Sequence, residues 1–203
     1  MIYFTSDFHF SHSRILSFER WNFTSIQEHD ECVMKILEEK LGKDDILYFL
    51  GDLGWPSKGI VRRIRALKCQ KYMIVGNHDK KSDIYYKEEL GFTEVYNHPL
   101  WLSNRIVISH YPVPVEDGVV NIHGHLHGAY LEMKNYINAN VHMQDYKLVT
   151  MKKVNNLIGR LPKPNRKFLE EWFAEYQVYT PEQMEKKKDE FQFRDDGVIL
   201  YKK

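Results

Sequence analysis

Cysteine is nearly absent from this chain: 203 residues hold two, Cys32 and Cys69, in no CxxC pair. A disulfide framework and a thiolate metal site are both excluded by that count. A charge of one sign is also missing, since 29 Lys and Arg face 28 Asp and Glu for a formal +1. No global basic field is available for non-specific nucleic-acid binding, although a local cleft can still be positive. No apolar run approaches the roughly 18 to 20 residues that span a bilayer, so no membrane role is expected. With only 11 Gly and 7 Pro the chain is neither collagen-like nor low-complexity, and no internal repeat is visible. The start, MIYFTSDFHF, lacks the basic and apolar regions of a secretion signal. Together with the cysteine usage it points to reduced thiols and a cytoplasmic protein. At 43% hydrophobic residues the chain has enough apolar material for one domain with a small attachment. What it does have is histidine: ten of them, whose placement matters more than their number.

Short apolar runs alternate with helical patterns up to about residue 158. Residues 1–5 read as a strand, and Ser25-Ile26-Gln27-Glu28 has the S-x-x-E form of a capping box. Behind it Val33, Ile36, Leu37 and Leu41 predict a helix over 25–41. Residues 46–50 form a continuous apolar run, the pattern of a strand covered on both faces. Ile60, Val61, Ile64 and Leu67 mark a second helix, followed by a strand over 71–75 and a helix over 82–90. Strands are expected near 92–97, 105–109, 119–123, 130–139 and 147–149, with a short helix over 150–158. This alternation predicts a layered α/β domain. After Gly159 the character changes. Leu161-Pro162-Lys163-Pro164 reads as a linker, ahead of charged helical patterns near 166–176 and 181–193 and a terminal strand over 198–201. The expected organisation is a domain over 1–158 and a charged appendage over 159–203, with nearly balanced charge, serving as a lid, a brace or an assembly element.

Five segments share one feature, metal-capable side chains directly after an apolar run. They are Asp7-Phe8-His9, Gly51-Asp52, Gly76-Asn77-His78-Asp79, His110 and Gly124-His125-Leu126-His127. Sites in open α/β sheets form where loops leave the carboxyl ends of strands, so the five would converge on one rim. In Asp7-x-His9 and His125-x-His127, residues two apart in an extended segment would face one centre. Alone, each segment could be a turn with a hydrogen-bonded histidine, Gly51-Asp52 being the weakest signal and Gly76-Asn77-His78-Asp79 the most specific; five in order are not explained that way. Oxygen and nitrogen donors without thiolates suit Mn, Fe, Zn or Ni. Seven candidate ligands are too many for one ordinary ion and suit two, roughly 3.5–4 Å apart and bridged by a carboxylate, as in two-metal phosphatases and nucleases.

This ordered series resembles the calcineurin-like metallophosphoesterase superfamily, over about residues 1–145. The resemblance implies a four-layer α/β/β/α sandwich, here with a C-terminal helical appendage. It implies that Asp7, His9, Asp52 and His127 hold one divalent ion and Asp52, Asn77, His110 and His125 the second, with Asp52 bridging. His78 matches the family's non-ligand histidine, which protonates the leaving oxygen, and Asp79 would orient its imidazole. Two such ions lower the pKa of a bridging water enough to make hydroxide near neutral pH, and they neutralise the phosphate oxygens. The departing alkoxide then needs a proton, which an imidazole supplies in the useful range.

Departures narrow the reading. Protein Ser/Thr phosphatases of the family extend the second motif to Gly-Asp-x-x-Asp-Arg, whereas here it runs Gly51-Asp52-Leu53-Gly54-Trp55-Pro56 without the arginine. Nuclease members usually carry additional DNA-binding and dimerisation regions, for which a short near-neutral appendage is a poor candidate. The strings Ser6-Asp7-Phe8-His9-Phe10-Ser11-His12 and Ser109-His110-Tyr111-Pro112 look more like small bacterial and phage phosphoesterases. His12, Trp55 and Tyr111 sit beside the motifs as candidate substrate contacts, the two aromatics as stacking surfaces for a nucleobase or simply as loop packing. The expected function is a metal-dependent phosphodiesterase, with two ions (Mn²⁺ first, or Fe, Zn or Ni) and a nucleotide or short oligonucleotide as substrate. A small-metabolite phosphomonoesterase and a catalytically silent binding module are the alternatives.

Overall fold

The computed structural model describes residues 1–17, 23–129, 131, 133–165 and the backbone of 191–193 and 199–201. Its core is two sheets face to face. The first has the order β4-β3-β2-β1-β9, built from Glu94–Tyr96, Gln70–Ile74, Ile46–Phe49, Ile2–Thr5 and Val149–Thr150. β1 to β4 are parallel and β9 runs antiparallel along β1. The second has the order β5-β6-β7-β8, from Leu100–Ser103, Ile106–Ile108, Val120–His123 and Tyr136–Asn138. β6, β7 and β8 are parallel, and β5 is antiparallel to β6.

Pleating decides what each sheet face meets. Phe4, Ile74, Ile106, Ile108, Val120, Ile122 and Ile137 point between the sheets and form one apolar cluster, which Val154 of helix α4 (Met151–Ile158) enters from the side. The alternate residues Tyr3, Leu47, Phe49, Met73 and Val95 point the other way. They pack under Val33, Met34 and Leu37 of α1 (Ile26–Lys40), Ile60 and Ile64 of α2 (Lys58–Ala66) and Tyr86 of α3 (Asp83–Glu88). Helix starts follow from their caps: Ser25, Ser57, Ser82 and Thr150 each accept the backbone N–H three residues on. The box at α1 differs from the expected one, because the Glu28 carboxylate reaches back to the N–H and hydroxyl of Thr24 rather than to Ser25.

Registers matter most for the site. Thr5 pairs with Phe49 and Phe49 with Met73, so β1, β2 and β3 end side by side and release their loops at one edge. β6 and β7 end there too, with Ile108 opposite Ile122. The two sheets are stitched together at that edge. The Ser6 N–H donates to the Ala139 carbonyl and the Val141 N–H to that of Ser6, at 3.1 Å each. The mixed α/β sandwich is the expected architecture.

Several local readings change. β5 was not anticipated; its Leu-Trp-Leu-Ser run is half-exposed and pairs with β6 across a bulge. Among the described residues the strand expected over 130–139 is confined to β8, and a 3-10 helix occupies Ser13–Ser17. The helical patterns at 166–176 and 181–190 lie outside the described residues. Phe191–Phe193, read as the end of a helix, is a strand (β10) antiparallel to Ile199–Tyr201 (β11), where a terminal strand was expected. The Arg105 guanidinium donates to the carbonyls of Ile158, Leu161 and Pro162, tying the segment after α4 to the second sheet. Among the described residues no helix is long and apolar enough to cross a membrane.

Candidate metal centre

The five strand exits meet. Asp7, His9, Asp52 and His127 bring one ligand atom each within 4.8 Å of one another, and so do Asp52, His110 and His125. Asp52 belongs to both groups. Asn77 lies on the second, its Oδ1 2.9 Å from His110 Nε2 and 3.2 Å from His125 Nδ1. Every residue of the seven-ligand set is therefore at one place.

The backbone that does this is not extended. Asp7, His9, Asp52 and His125 all have positive φ, at 59°, 46°, 59° and 67°. The left-handed region costs a non-glycine residue about 1–3 kcal/mol and persists only where the surroundings over-determine it. The extended-segment argument for Asp7-x-His9 and His125-x-His127 is thus corrected: the chain curls so that these side chains turn inward. Hydrogen bonds supply the constraint. Asp7 N–H donates to the Gly51 carbonyl at 2.9 Å and His9 N–H to that of Asp52 at 3.0 Å. His125 N–H donates to both Asp7 carboxylate oxygens at 3.1 Å. Glycine is required at two close approaches, because a Cβ on Gly76 would collide with Asp52 and one on Gly124 with Asp7 and Ser6.

Electrostatics fit a divalent cation. Burial, with the neighbouring imidazoles, pushes His9 down to about 2 and His127 to about 3, and burial lowers His110 and His125. Each shift favours the neutral imidazole, the state that binds metal. Burial and the adjacent Asp52 drive Asp7 well above the usual carboxylate range. Among the described residues the ion-pair partners of Asp7 and Asp52 are imidazoles, with no Lys or Arg. His110 Nδ1 donates to the Leu50 carbonyl at 2.8 Å, so its Nε2 lone pair faces the Asn77 oxygen and the Asp52 carboxylate. Buried acceptors turned toward one another need positive charge between them.

His78 and Asp79 divide differently from expectation. The His78 N–H donates to Asp52 Oδ1 at 2.8 Å, and its half-buried ring stands 4.9 Å from that of His9. Asp79 does not bond that imidazole; its carboxylate accepts three backbone N–H groups, from Asp52 and Gly76 at 2.8 Å and Leu53 at 2.9 Å. Its part is to clamp the second strand exit to the third. Burial pushes it up to about 7 against those three donors. His12 stands at the mouth, its ring 5.8 Å from His78 and edge-on to Trp55 at 4.8 Å. Trp55 is 52% exposed. At the other end the Tyr111 ring lies 4.4 Å from His125 and 4.9 Å from His110.

Sequence reasoning passed over the support behind the cluster. The buried His142 ring donates from Nε2 to the Asp7 carbonyl at 3.0 Å and meets the Tyr146 hydroxyl at 3.0 Å. It stacks on His29, whose Nδ1 meets Asp30, and Asp30 accepts the Ser11 N–H at 3.0 Å. Asn140 touches His127 Nδ1 at 3.2 Å. Asn140 and His142 follow the exit of β8, a sixth strand end at the same edge, whereas His29 and Asp30 lie on α1 with no strand exit before them.

Comparison with known proteins agrees with the geometry. An uncharacterized protein of Methanocaldococcus jannaschii is 29% identical over 170 residues, 78% of this chain and 92% of that one. The gene 66 protein of Mycobacterium phage L5 is 25% identical over 175 residues, 70% of this chain and 84% of the phage protein. The crystal structure of a protein of unknown function from Aquifex aeolicus superimposes with a TM-score of 0.62 at 27% identity, covering 78% of this chain and 99% of that one. The family profile described as calcineurin-like phosphoesterase matches residues 1–198. Nearly the whole chain thus carries the family pattern around a buried His/Asp cluster, and the protein belongs to the calcineurin-like phosphoesterases, a family of metal-dependent phosphoester hydrolases.

Proposed function

We propose that the protein hydrolyses a phosphodiester of nucleotide type. The observation that carries the two-ion reading is that Asp52 belongs to two of the three side-chain groups able to hold an ion, the third being His9, His12 and His78. Asp7, His9, Asp52 and His127 would hold one ion, and Asp52, Asn77, His110 and His125 the other, with Mn²⁺ the first to try for this O and N donor set. When bound, the ions supply Lewis acidity, making a water nucleophilic near neutral pH and offsetting phosphate charge.

The chain's own residues do the rest. Asp79 holds the Asp52 and Gly76 turns against each other, which sets the spacing of the two ligand groups. Asp52 fixes the His78 backbone, and the His78 imidazole at the mouth protonates the leaving oxygen. His12 lines the entrance. Trp55 and Tyr111 stand at opposite ends of the cluster and offer stacking surfaces to a base or ribose. That placement, and the missing arginine after Asp52, favour a nucleotide diester over a phosphoprotein. Residues 159–165 brace the domain in this reading, supported by the Arg105 bonds and by the close approach of Pro164 to Gly118.

The test compares bis-p-nitrophenyl phosphate with p-nitrophenyl phosphate, with Mn²⁺ and with EDTA, alongside the Asp52→Asn and His78→Ala variants. Metal-dependent cleavage favouring the diester supports the proposal. A monoester preference replaces it with a metabolite phosphatase, and silence with bound metal replaces it with a binding module.

A further inference from the structure

Beside the cluster, a cleft of about 630 Å³ runs between α4 and the edge strand β8. Its charged lining is of one sign: Lys152, Lys153 and Arg160, with no carboxylate among the lining residues. In a chain of formal charge +1 this is a local concentration rather than a global field. Lys152, Lys153 and Asn156 lie on α4, and Arg160 follows in the turn after the helix ends, its N–H donating to the Leu157 carbonyl at 2.9 Å. Val154 of α4 is buried in the apolar cluster between the sheets, and the half-buried Leu157 both packs against that cluster and lines the cleft.

The cleft is also joined to the candidate metal centre. Lys153 donates to Gln144 at 2.8 Å, Gln144 to the Asn138 carbonyl at 2.5 Å, and Asn138 to the Leu126 carbonyl at 2.6 Å. Leu126 lies between His125 and His127. Asn138 also accepts the N–H of Asn140, which touches His127. Three hydrogen bonds thus link the cleft lining to the ligand loop. We propose that this cleft binds the phosphate backbone of a single-stranded nucleic acid and leads the strand to the His/Asp cluster. This deepens the diesterase reading and rests on it for the fate of the strand, but not for its binding.

Binding of a fluorescein-labelled single-stranded DNA of about 12 nucleotides, followed by anisotropy in EDTA, is the test. The Lys152→Glu/Arg160→Glu variant changes two exposed side chains; a control, Lys35→Glu/Lys43→Glu, makes the same net charge change on the far side. Loss of two phosphate contacts raises Kd by about tenfold or more at low salt and reduces the slope of log K against log salt by about 1.4. The control stays near the parent. Absent binding by the parent, equal binding by the cleft variant, or equal weakening by the control each overturns the proposal. Hydrolysis of bis-p-nitrophenyl phosphate by the parent reports on the diesterase reading separately. Cleft-dependent DNA binding without that hydrolysis would leave the binding track standing and sink the enzyme.

Discussion

Asp79 separates two accounts of the same motif. If it oriented the His78 imidazole, its replacement would slow catalysis and leave folding alone. In the structure it satisfies three buried backbone donors instead. An unsatisfied buried donor costs about 1–3 kcal/mol, so Asp79→Ala should cost about 3–9 kcal/mol. Set against a total of about 5–15 kcal/mol, that is a large share of the stability. Asp79→Asn is milder, because the amide oxygen keeps the side shared by Asp52 and Gly76 while its NH₂ faces the Leu53 N–H. One bond is lost, about 1–3 kcal/mol. A chain of this size shifts by about 2–4 °C per kcal/mol, so the alanine variant should melt at least about 6 °C lower and the asparagine variant between it and the parent. Melting is followed in EDTA, so that lost metal does not contribute. An alanine variant within about 2 °C of the parent refutes the clamp, and selective slowing of poor leaving groups at full stability would restore the orienting role.

Four further outcomes are expected. Asn77→Ala and His110→Ala should each lower metal content to about one ion per chain and strongly reduce turnover, read by elemental analysis beside kinetics; near-normal values of both contradict the ligand assignment. His78→Ala should keep its metal and slow poor leaving groups by roughly 10²–10⁴-fold, whereas equal slowing of good ones argues against an acid. His142→Phe keeps a ring against His29 but loses the bond to the Asp7 carbonyl, and metal affinity should fall about 10–100-fold by titration. EDTA should abolish hydrolysis and added Mn²⁺ restore it; hydrolysis that survives exhaustive chelation would mean that the cluster is not where the reaction occurs.

Much of the architecture was legible because hydrophobic period is a local property. Val33, Ile36 and Leu37 announce α1, and the apolar runs ahead of Asp7, Asp52 and Asn77 announce three parallel strands and their shared rim. β5 escaped because Leu100–Ser103 is half-exposed and carries no alternation, its pairing coming entirely from β6. Phe191–Phe193 escaped for a related reason: charged residues before it read as helix, while its strand depends on Ile199–Tyr201. The convergence of the ligand residues was anticipated on the wrong ground. Extended alternation was assumed where the chain takes four left-handed residues.

The residue types and their order along the chain were enough to point to the side chains that the fold gathers at one rim. A donor set of Asp, Asn and His after five apolar runs is a statement about composition and period, and both are written in sequence. What only the tertiary structure decided is how those donors are held. That Asp79 clamps backbone rather than His78, that His142 supports Asp7 from 135 positions away, and that α4 turns a cationic face to the edge of β8 all depend on contacts between distant segments. Such contacts arise from burial and closure of the sandwich, and no local pattern encodes them.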